Sequence, residues 1–103
     1  MKDKIREAIR KKEPVGIFIR QEMIDQTEET LKEIADQIET HWTSISYVMS
    51  GRNKLSPKMA AKLSHHFNTY TTAQLLSVQS AYDADQADQA YATSLVKKGH
   101  HPT

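Results

Sequence analysis

LKEIADQIETHWTSISYVMSG, residues 31–51, is the stretch of sequence that decides the fold. Its first part carries apolar residues at the i, i+3, i+4 and i+7 spacing of one helix face. These residues are Leu31, Ile34, Ala35 and Ile38. After a short break at residues 39–41, a second helix is predicted over residues 42–49, with Ile45, Val48 and Met49 on its inner side. Two short helices joined by a tight turn are typical of a helix-turn-helix.

The offsets within this stretch satisfy the packing needs of that motif. Where the first helix crosses the second, the fifth position holds the small residue Ala35. The inner positions 4, 8, 15 and 18 are all apolar, at Ile34, Ile38, Ile45 and Val48. The ninth position departs from the pattern: the turn normally has Gly, which takes positive φ without steric cost, and this chain has Glu39. We expect a strained turn or another geometry there, at a cost of about 1 kcal/mol against Gly.

The remainder of the chain also favours helices. Gly and Pro number three each, β-branched alternation is scarce, and Ala, Gln, Lys, Glu and Leu are common. Further helices are predicted at about residues 2–12, 16–25, 57–67 and 72–97. Thr30 with Glu33 fits a capping box, Ser56-Pro57 is a helix start, and Gly51 suits a left-handed C-cap.

These elements predict an all-α fold in one domain, without internal repeats. We expect a core over residues 14–91, an N-terminal extension at 1–13 and a polar tail at 92–103. The first helix has a thin apolar face of Ile5, Ala8 and Ile9, so we expect it to fray or to be disordered.

The net charge of +1 conceals a strong pattern along the chain. Residues 1–20 are basic, residues 21–40 carry seven acids against one Lys, and residues 41–66 contain Arg52, Lys54, Lys58 and Lys62 without any acid. Phosphates attract Lys and Arg and repel carboxylates, so the acid-free window is a candidate DNA-facing surface. On charge alone, an ordinary solvated face explains the window equally well.

The second helix of the motif would place its N-terminal residues at base edges in the major groove. The candidate DNA-binding residues on it are His41, Trp42, Thr43, Ser44, Ser46 and Tyr47. Arg52, Asn53 and Lys54 follow in a loop that suits backbone contact, and Lys58 begins the next helix, whose amides can also hold a phosphate. Since this helix lacks Arg and Gln, sequence reading would depend on thymine methyl groups and on DNA shape. The alternatives are a packing role for Trp42 and Tyr47 and a simple turn role for His41.

Other functions find little support in the composition. The chain has no Cys, no glycine-rich phosphate loop and no His-Glu pair at metal spacing, so we expect neither an enzyme, nor a metal site, nor a cofactor. His65 and His66 are adjacent, so they point to different sides of a helix, and we expect a capping or surface role for them. No apolar run approaches the roughly 20 residues that span a membrane, and the charged N-terminus lacks the apolar region of a secretory signal, which favours the cytoplasm.

The chain from Pro14 to Asp83 resembles the HigA-like antitoxins, a branch of the Xre-type helix-turn-helix proteins. The resemblance rests on Pro14-Val15-Gly16 followed by IFIRQE, and on residues 34–67. Its most telling segment is Ser50-Gly51-Arg52 followed by LSPKMA at residues 55–60. VQSAYD at residues 78–83 matches a Leu-Gln-x-x-Tyr-Asp signature. The chain departs from the family at Glu39, at Asn68, which stands for Gly, at Leu75, which stands for Trp, and in a longer connection over residues 68–74.

The resemblance implies a five-helix domain of the Xre or lambda-repressor type, with a possible extra N-terminal helix. It further implies a homodimer that represses its own operon by binding a palindromic operator and that neutralises a small basic RelE-like toxin, which cleaves messenger RNA on the ribosome. The last helix is then the candidate dimer contact, and the acidic residues 22–39 form a candidate toxin surface. Two alternatives stand beside this interpretation: a stand-alone Xre-type repressor without a toxin, and a protein-interaction module that no longer binds DNA.

Overall fold

The computed structural model describes residues 2–97. Of the polar tail predicted at residues 92–103, residues 92–97 belong to the last helix, and the remainder lies outside the described residues. Within residues 2–97 the chain is all-helical, with six α-helices, one short 3-10 helix and no strand. The α-helices are α1 (Lys2–Arg10), α2 (Val15–Glu22), α3 (Leu31–Gln37), α4 (Trp42–Met49), α5 (Pro57–Phe67) and α6 (Thr72–Lys97), and the 3-10 helix is Ile24–Gln26. None of the helices in this part of the chain is long and apolar enough to cross a membrane.

The helix starts follow local capping signals. Thr30 and Glu33 form the predicted capping box before α3, and the Ser56 hydroxyl accepts a hydrogen bond from Met59 N at the start of α5. Thr71 and Gln74 form a similar reciprocal pair before α6, which the sequence analysis did not predict. The predicted limits of α4, α5 and α6 are confirmed.

The predicted helix at residues 16–25 is wrong at its C-terminal end. The α-helix ends at Glu22 because Met23 leaves the helical conformation, with φ −128° and ψ −63°. The side chain of Met23 is buried, and the 3-10 helix follows.

The core is formed where α2, α3, α4, α5 and the first half of α6 meet, and α1 adds Ile5 and Ala8 to it. Its largest fully buried side chains are Phe18, Ile19, Met23, Ile34, Ile45, Leu55, Leu63, Leu75 and Val78. The predicted inner positions of the α3–α4 pair, Ile34, Ala35, Ile38, Ile45 and Val48, are all buried. The two helices therefore pack through the residues that the motif offsets assign to their contact.

The turn between α3 and α4 adopts a left-handed conformation at Glu39, with φ 54°. Thr40 N donates to Ala35 O at 2.9 Å and Glu39 N donates to Asp36 O at 3.3 Å, which is the hydrogen-bond pattern of a Schellman motif. The chain thus keeps the turn that Gly would favour and places a residue with a Cβ in it. Lys62 Nζ also donates to Glu39 O at 3.1 Å, so α5 ties down the turn.

Helix α2 fixes the C-terminal end of α4 through Gly16. A Cβ at this position would lie 2.6 Å from Met49 O and closer still to Val48 O. Only a glycine allows the two backbones to approach in this way, so α2 and the end of α4 form one rigid contact.

Helix α1 is packed against α6, and Ile5 and Ala8 are buried in the core cluster. These two residues hold α1 in place although its apolar face is thin. At the other end of the chain, α6 has 26 residues, and residues 86–93 are exposed throughout, so this helix extends past the core.

Candidate nucleic-acid interface

Helix α4 presents one polar side to the surroundings. At 3.6 residues per turn, Thr43, Ser46 and Tyr47 lie opposite the buried Ile45 and Val48. Trp42 and Ser44 lie at the two edges of this outer face, and His41 precedes it as an exposed N-cap whose side chain makes no capping hydrogen bond. The structure therefore brings all six candidate residues of this helix to one end or one side of it.

The two aromatic residues of α4 are exposed rather than packed in the core. Trp42 is 51 % accessible, and Tyr47 is 40 % accessible. The Arg52 guanidinium carbon lies 5.3 Å from the centroid of the Tyr47 ring, a cation–π distance that links the helix to the loop after it. Both rings thus offer exposed apolar area, and that of Tyr47 lies beside a charged group.

Cations flank this face on the C-terminal side. Arg52, Asn53 and Lys54 are exposed in the loop after α4, and Lys58 is exposed in the first turn of α5. Lys54 Nζ lies 3.4 Å from Asp83 Oδ2, but the Lys54 side chain remains 80 % accessible, so this ion pair is weak and open to exchange. Lys62 is less available, since its ammonium group donates a hydrogen bond to the Glu39 carbonyl in the turn before α4.

Carboxylates are excluded from this region of the sequence. No Asp or Glu occurs between Glu39 and Asp83, so α4, its loop and α5 carry none. With Arg52, Lys54 and Lys58 exposed, the local field favours an anion such as a phosphate.

The loop that carries these cations is anchored by a residue that sequence analysis did not select. Gln79 of α6 accepts a hydrogen bond from Leu55 N at 2.6 Å and donates one to Leu55 O at 2.8 Å. Its amide therefore satisfies both backbone groups of a buried residue. The available signal was the polar amide of Gln79 in the apolar row of Leu75, Val78 and Tyr82.

The acidic segment of residues 22–39 divides into two kinds of carboxylate. Asp25, Glu28 and Asp36 are exposed, whereas the Glu29 carboxylate lies 3.0 Å from His66 Nε2. The expected capping or surface role of His66 is therefore wrong, because its side chain is only 13 % accessible and joins α5 to the segment before α3. The two residues are 37 positions apart, and no local pattern in the sequence indicates this contact.

Glu33 belongs to the capping box of α3 and not to an open binding surface. The backbone N–H and the hydroxyl of Thr30 hold the pKa of the Glu33 carboxyl below its usual value. Both groups favour the ionised form, which also suits the positive end of the helix dipole.

Comparisons of the chain with protein-family models, with curated proteins and with solved structures give no match.

Proposed function

We propose that α3 and α4 form a helix-turn-helix and that the protein binds double-stranded DNA with α4 in the major groove. The observation that carries this proposal is the outer face of α4, which lacks carboxylates and is flanked by the exposed cations Arg52, Lys54 and Lys58. The spacing and burial of the five inner residues support the motif, since they are what its two helices need at their contact.

Different side chains contact the phosphates and the bases. Arg52, Lys54 and Lys58 contact phosphates and fix the position of the protein on the duplex. Thr43 and Ser46 reach base edges, and Trp42 contacts thymine methyl groups from the edge of the helix. Because α4 has no side chain for a bidentate base contact, DNA shape supplies a large part of the specificity. A homodimer would repeat this contact at two half-sites about one helical turn apart.

We further propose that the protein is an antitoxin, on the strength of its resemblance to the HigA-like family. It would neutralise a small basic RelE-like toxin and repress its own operon. The exposed carboxylates Asp25, Glu28 and Asp36 support a basic partner, because an acidic surface accelerates the approach of a cationic protein. Glu29 is not part of this surface, since its carboxylate is engaged with His66.

The DNA-binding proposal is tested by a duplex titration with two variants at one position. Thr43→Glu places a carboxylate on the outer face of α4, where it repels phosphate, yet its position in the first helical turn suits the helix dipole. Thr43→Gln is the matched neutral control. Fluorescence anisotropy with a mixed-sequence duplex should show wild-type affinity that falls steeply with salt, near-wild-type binding by Thr43→Gln, and at least about a tenfold loss for Thr43→Glu.

Equal binding by both variants would overturn the assignment of α4 as the recognition helix. Salt-insensitive binding, or no binding to any duplex from a randomised pool, would overturn the DNA-binding proposal and favour an interaction module. Unchanged thermal melting of Thr43→Glu would establish that lost affinity does not come from unfolding.

The antitoxin proposal is tested by what the protein binds at native concentration. A tagged copy, expressed at its own level in its own cell, should recover a small basic protein in a fixed ratio. Glu28→Lys should slow association with that protein, whereas Lys32→Gln, at an exposed position of the adjacent helix α3, should not. Recovery of DNA without a protein partner would contradict the antitoxin and favour the stand-alone repressor.

A further inference from the structure

The segment VQSAYD, residues 78–83 of α6, holds the loop that follows α4 at two successive points. Gln79 and Asp83 are four residues apart, so their side chains lie on the same side of α6, one turn from each other. Gln79 binds both backbone groups of Leu55, and Asp83 Oδ2 lies 3.4 Å from Lys54 Nζ. Two neighbouring residues of the loop are therefore paired with two neighbouring turns of the helix.

These two contacts contribute differently to the fold. Gln79 satisfies the backbone of a buried residue, and its loss would leave polar groups there without partners. The Lys54 side chain is 80 % accessible and that of Asp83 is 37 % accessible, so their ion pair lies in water and stabilises the fold little. The position of the loop therefore depends on Gln79, and the ion pair can break without disturbing it.

Asp83 brings a carboxylate to a loop that otherwise carries cations. The sequence has no acid between Glu39 and Asp83, so this carboxylate comes from outside the acid-free stretch. Beside the loop is a cavity that residues of α2, α4 and α6 also line, and Lys54 and Asp83 are the charged residues in its lining. The other loop cation, Arg52, lies against the Tyr47 ring instead. Lys54 is therefore the loop cation that Asp83 neutralises.

We propose that Asp83 occupies Lys54 in the free protein and that a phosphate of the bound duplex displaces it. A carboxylate and a phosphodiester both present anionic oxygens to an ammonium group. A phosphate at Lys54 Nζ would meet the negative charge of Asp83 at short range, and this repulsion separates Asp83 from Lys54.

The inference rests on the proposed DNA-binding function and adds to it a residue that limits its strength. Asp83 competes with DNA for one cation, so it weakens binding to any duplex. The effect is independent of base sequence, because phosphate contacts carry no sequence information. Removing the carboxylate should therefore strengthen DNA binding, and only as long as Lys54 is present.

The test is a double-mutant cycle that combines Asp83→Asn with Lys54→Gln. The probe is a labelled mixed-sequence duplex of about 30 base pairs, long enough for two half-sites, and binding is followed by fluorescence anisotropy. Asp83→Asn removes the charge and keeps the size of the side chain, so the affinity should rise about threefold per bound protomer at an unchanged melting temperature. In the Lys54→Gln protein the same substitution should leave the affinity unchanged.

The salt dependence of binding shows whether Lys54 changes partner. Lys54→Gln should reduce the slope of log K against log salt by about 0.9 per bound protomer, because one phosphate contact is lost. Asp83→Asn should keep the wild-type slope, since Lys54 reaches the phosphate in both proteins. A wild-type slope in Lys54→Gln would overturn the proposal, because Lys54 would then contact no phosphate in the complex.

Asp85→Asn is the matched control, since it removes a carboxylate from the opposite side of the same helix, where Asp85 accepts a hydrogen bond from Gln89 at 2.7 Å. Its affinity for the duplex should stay close to that of the wild-type protein. Equal gains in the Asp83 and Asp85 variants would overturn the proposal, because net charge alone would explain them.

Two further results would also overturn it. Unchanged affinity in Asp83→Asn would mean that the ion pair does not compete with DNA. An equal gain from Asp83→Asn with and without Lys54 would mean that Asp83 repels the duplex directly. If the wild-type protein itself showed no salt-dependent binding, the DNA-binding proposal would fail, and this inference would fail with it.

Discussion

Glu39→Gly is expected to stabilise the protein, and the magnitude follows from the turn between α3 and α4. Glu39 has φ 54°, and a side chain in the left-handed region costs about 1–2 kcal/mol. Gly removes this cost but loses more backbone entropy on folding, roughly 0.5–1 kcal/mol. The net gain is at most about 1.5 kcal/mol and about 0.8 kcal/mol at the centre of these ranges. The hydrogen bond from Lys62 to the carbonyl of residue 39 involves only the backbone of that residue and persists.

Urea denaturation followed by circular dichroism measures this gain as a higher midpoint at an unchanged slope. Gln37→Gly is the control, because Gln37 is an exposed residue in α3 and Gly should cost roughly 0.5–1 kcal/mol there. Loss of stability in Glu39→Gly would refute the reasoning, since it would mean that the Glu39 side chain contributes more than its backbone strain costs. The same variant removes the last carboxylate before α4, so we expect its affinity for duplex DNA to rise.

Three further perturbations test other parts of the account. Gly16→Ala should cost about 3 kcal/mol in urea denaturation, because its Cβ would meet backbone carbonyls, including that of Val48, which cannot rotate away. Gln79→Leu should cost about 3 kcal/mol in the same assay, because it leaves the N–H and C=O of the buried Leu55 without their partner. The pKa of the Glu33 carboxyl is lower in the folded protein than in the unfolded chain, so ionisation of this group stabilises the fold. The wild-type protein should therefore melt at a higher temperature than Glu33→Gln at neutral pH. This difference should shrink as the pH falls below about 4.3, where the unfolded chain begins to bind the proton.

Each of these three predictions would be contradicted by a specific result. Wild-type stability in the Gly16 variant would mean that α2 and α4 are not in close backbone contact. Gln86→Leu, on an exposed site of α6, is the control for the Gln79 variant and should change stability by no more than about 0.5 kcal/mol; equal effects would refute the anchoring role. A pH-independent difference between the Glu33 variant and wild type would show that the ionised carboxylate is not what stabilises the start of α3.

Local signals predicted most helix limits because they act within one turn. The capping box of Thr30 and Glu33 and the Ser56-Pro57 start depend only on residues three positions apart or adjacent. Asn68 adopts φ 60° at the end of α5, as expected for a residue that tolerates the left-handed region. Periodicity then assigned the buried faces of α3 and α4 correctly.

Long-range polar contacts could not be predicted in the same way. Leu55 and Gln79 are 24 residues apart, and the sequence indicates that Gln79 is polar without indicating which backbone group it meets. His66 and Glu29 are 37 residues apart, and each has several plausible partners until the helices are placed. The packing of α1 was underestimated for a related reason. Two buried residues, Ile5 and Ala8, hold this helix in place because α6 packs against it, and that contact cannot be seen in the sequence.

The sequence predicted that the candidate interface residues are exposed, but it did not predict the contacts that hold them in place. Exposure of Trp42 and Tyr47 followed from the position of the core residues on α4 and is observed. The roles of the candidate residues toward DNA remain predictions. What the structure adds is the distinction between cations that are available, such as Arg52 and Lys58, and Lys62, which is engaged in the turn at Glu39.

The most direct test of the central claim uses the only tryptophan of the chain. Trp42 stands in the first turn of α4 and is half exposed, so its fluorescence reports on that face alone. Titration with duplex DNA should change its emission in step with the anisotropy of a labelled duplex, and added salt should reverse both signals together. DNA binding in the anisotropy signal without any change in Trp42 emission would contradict the account, because the duplex would then lie on a surface other than α4.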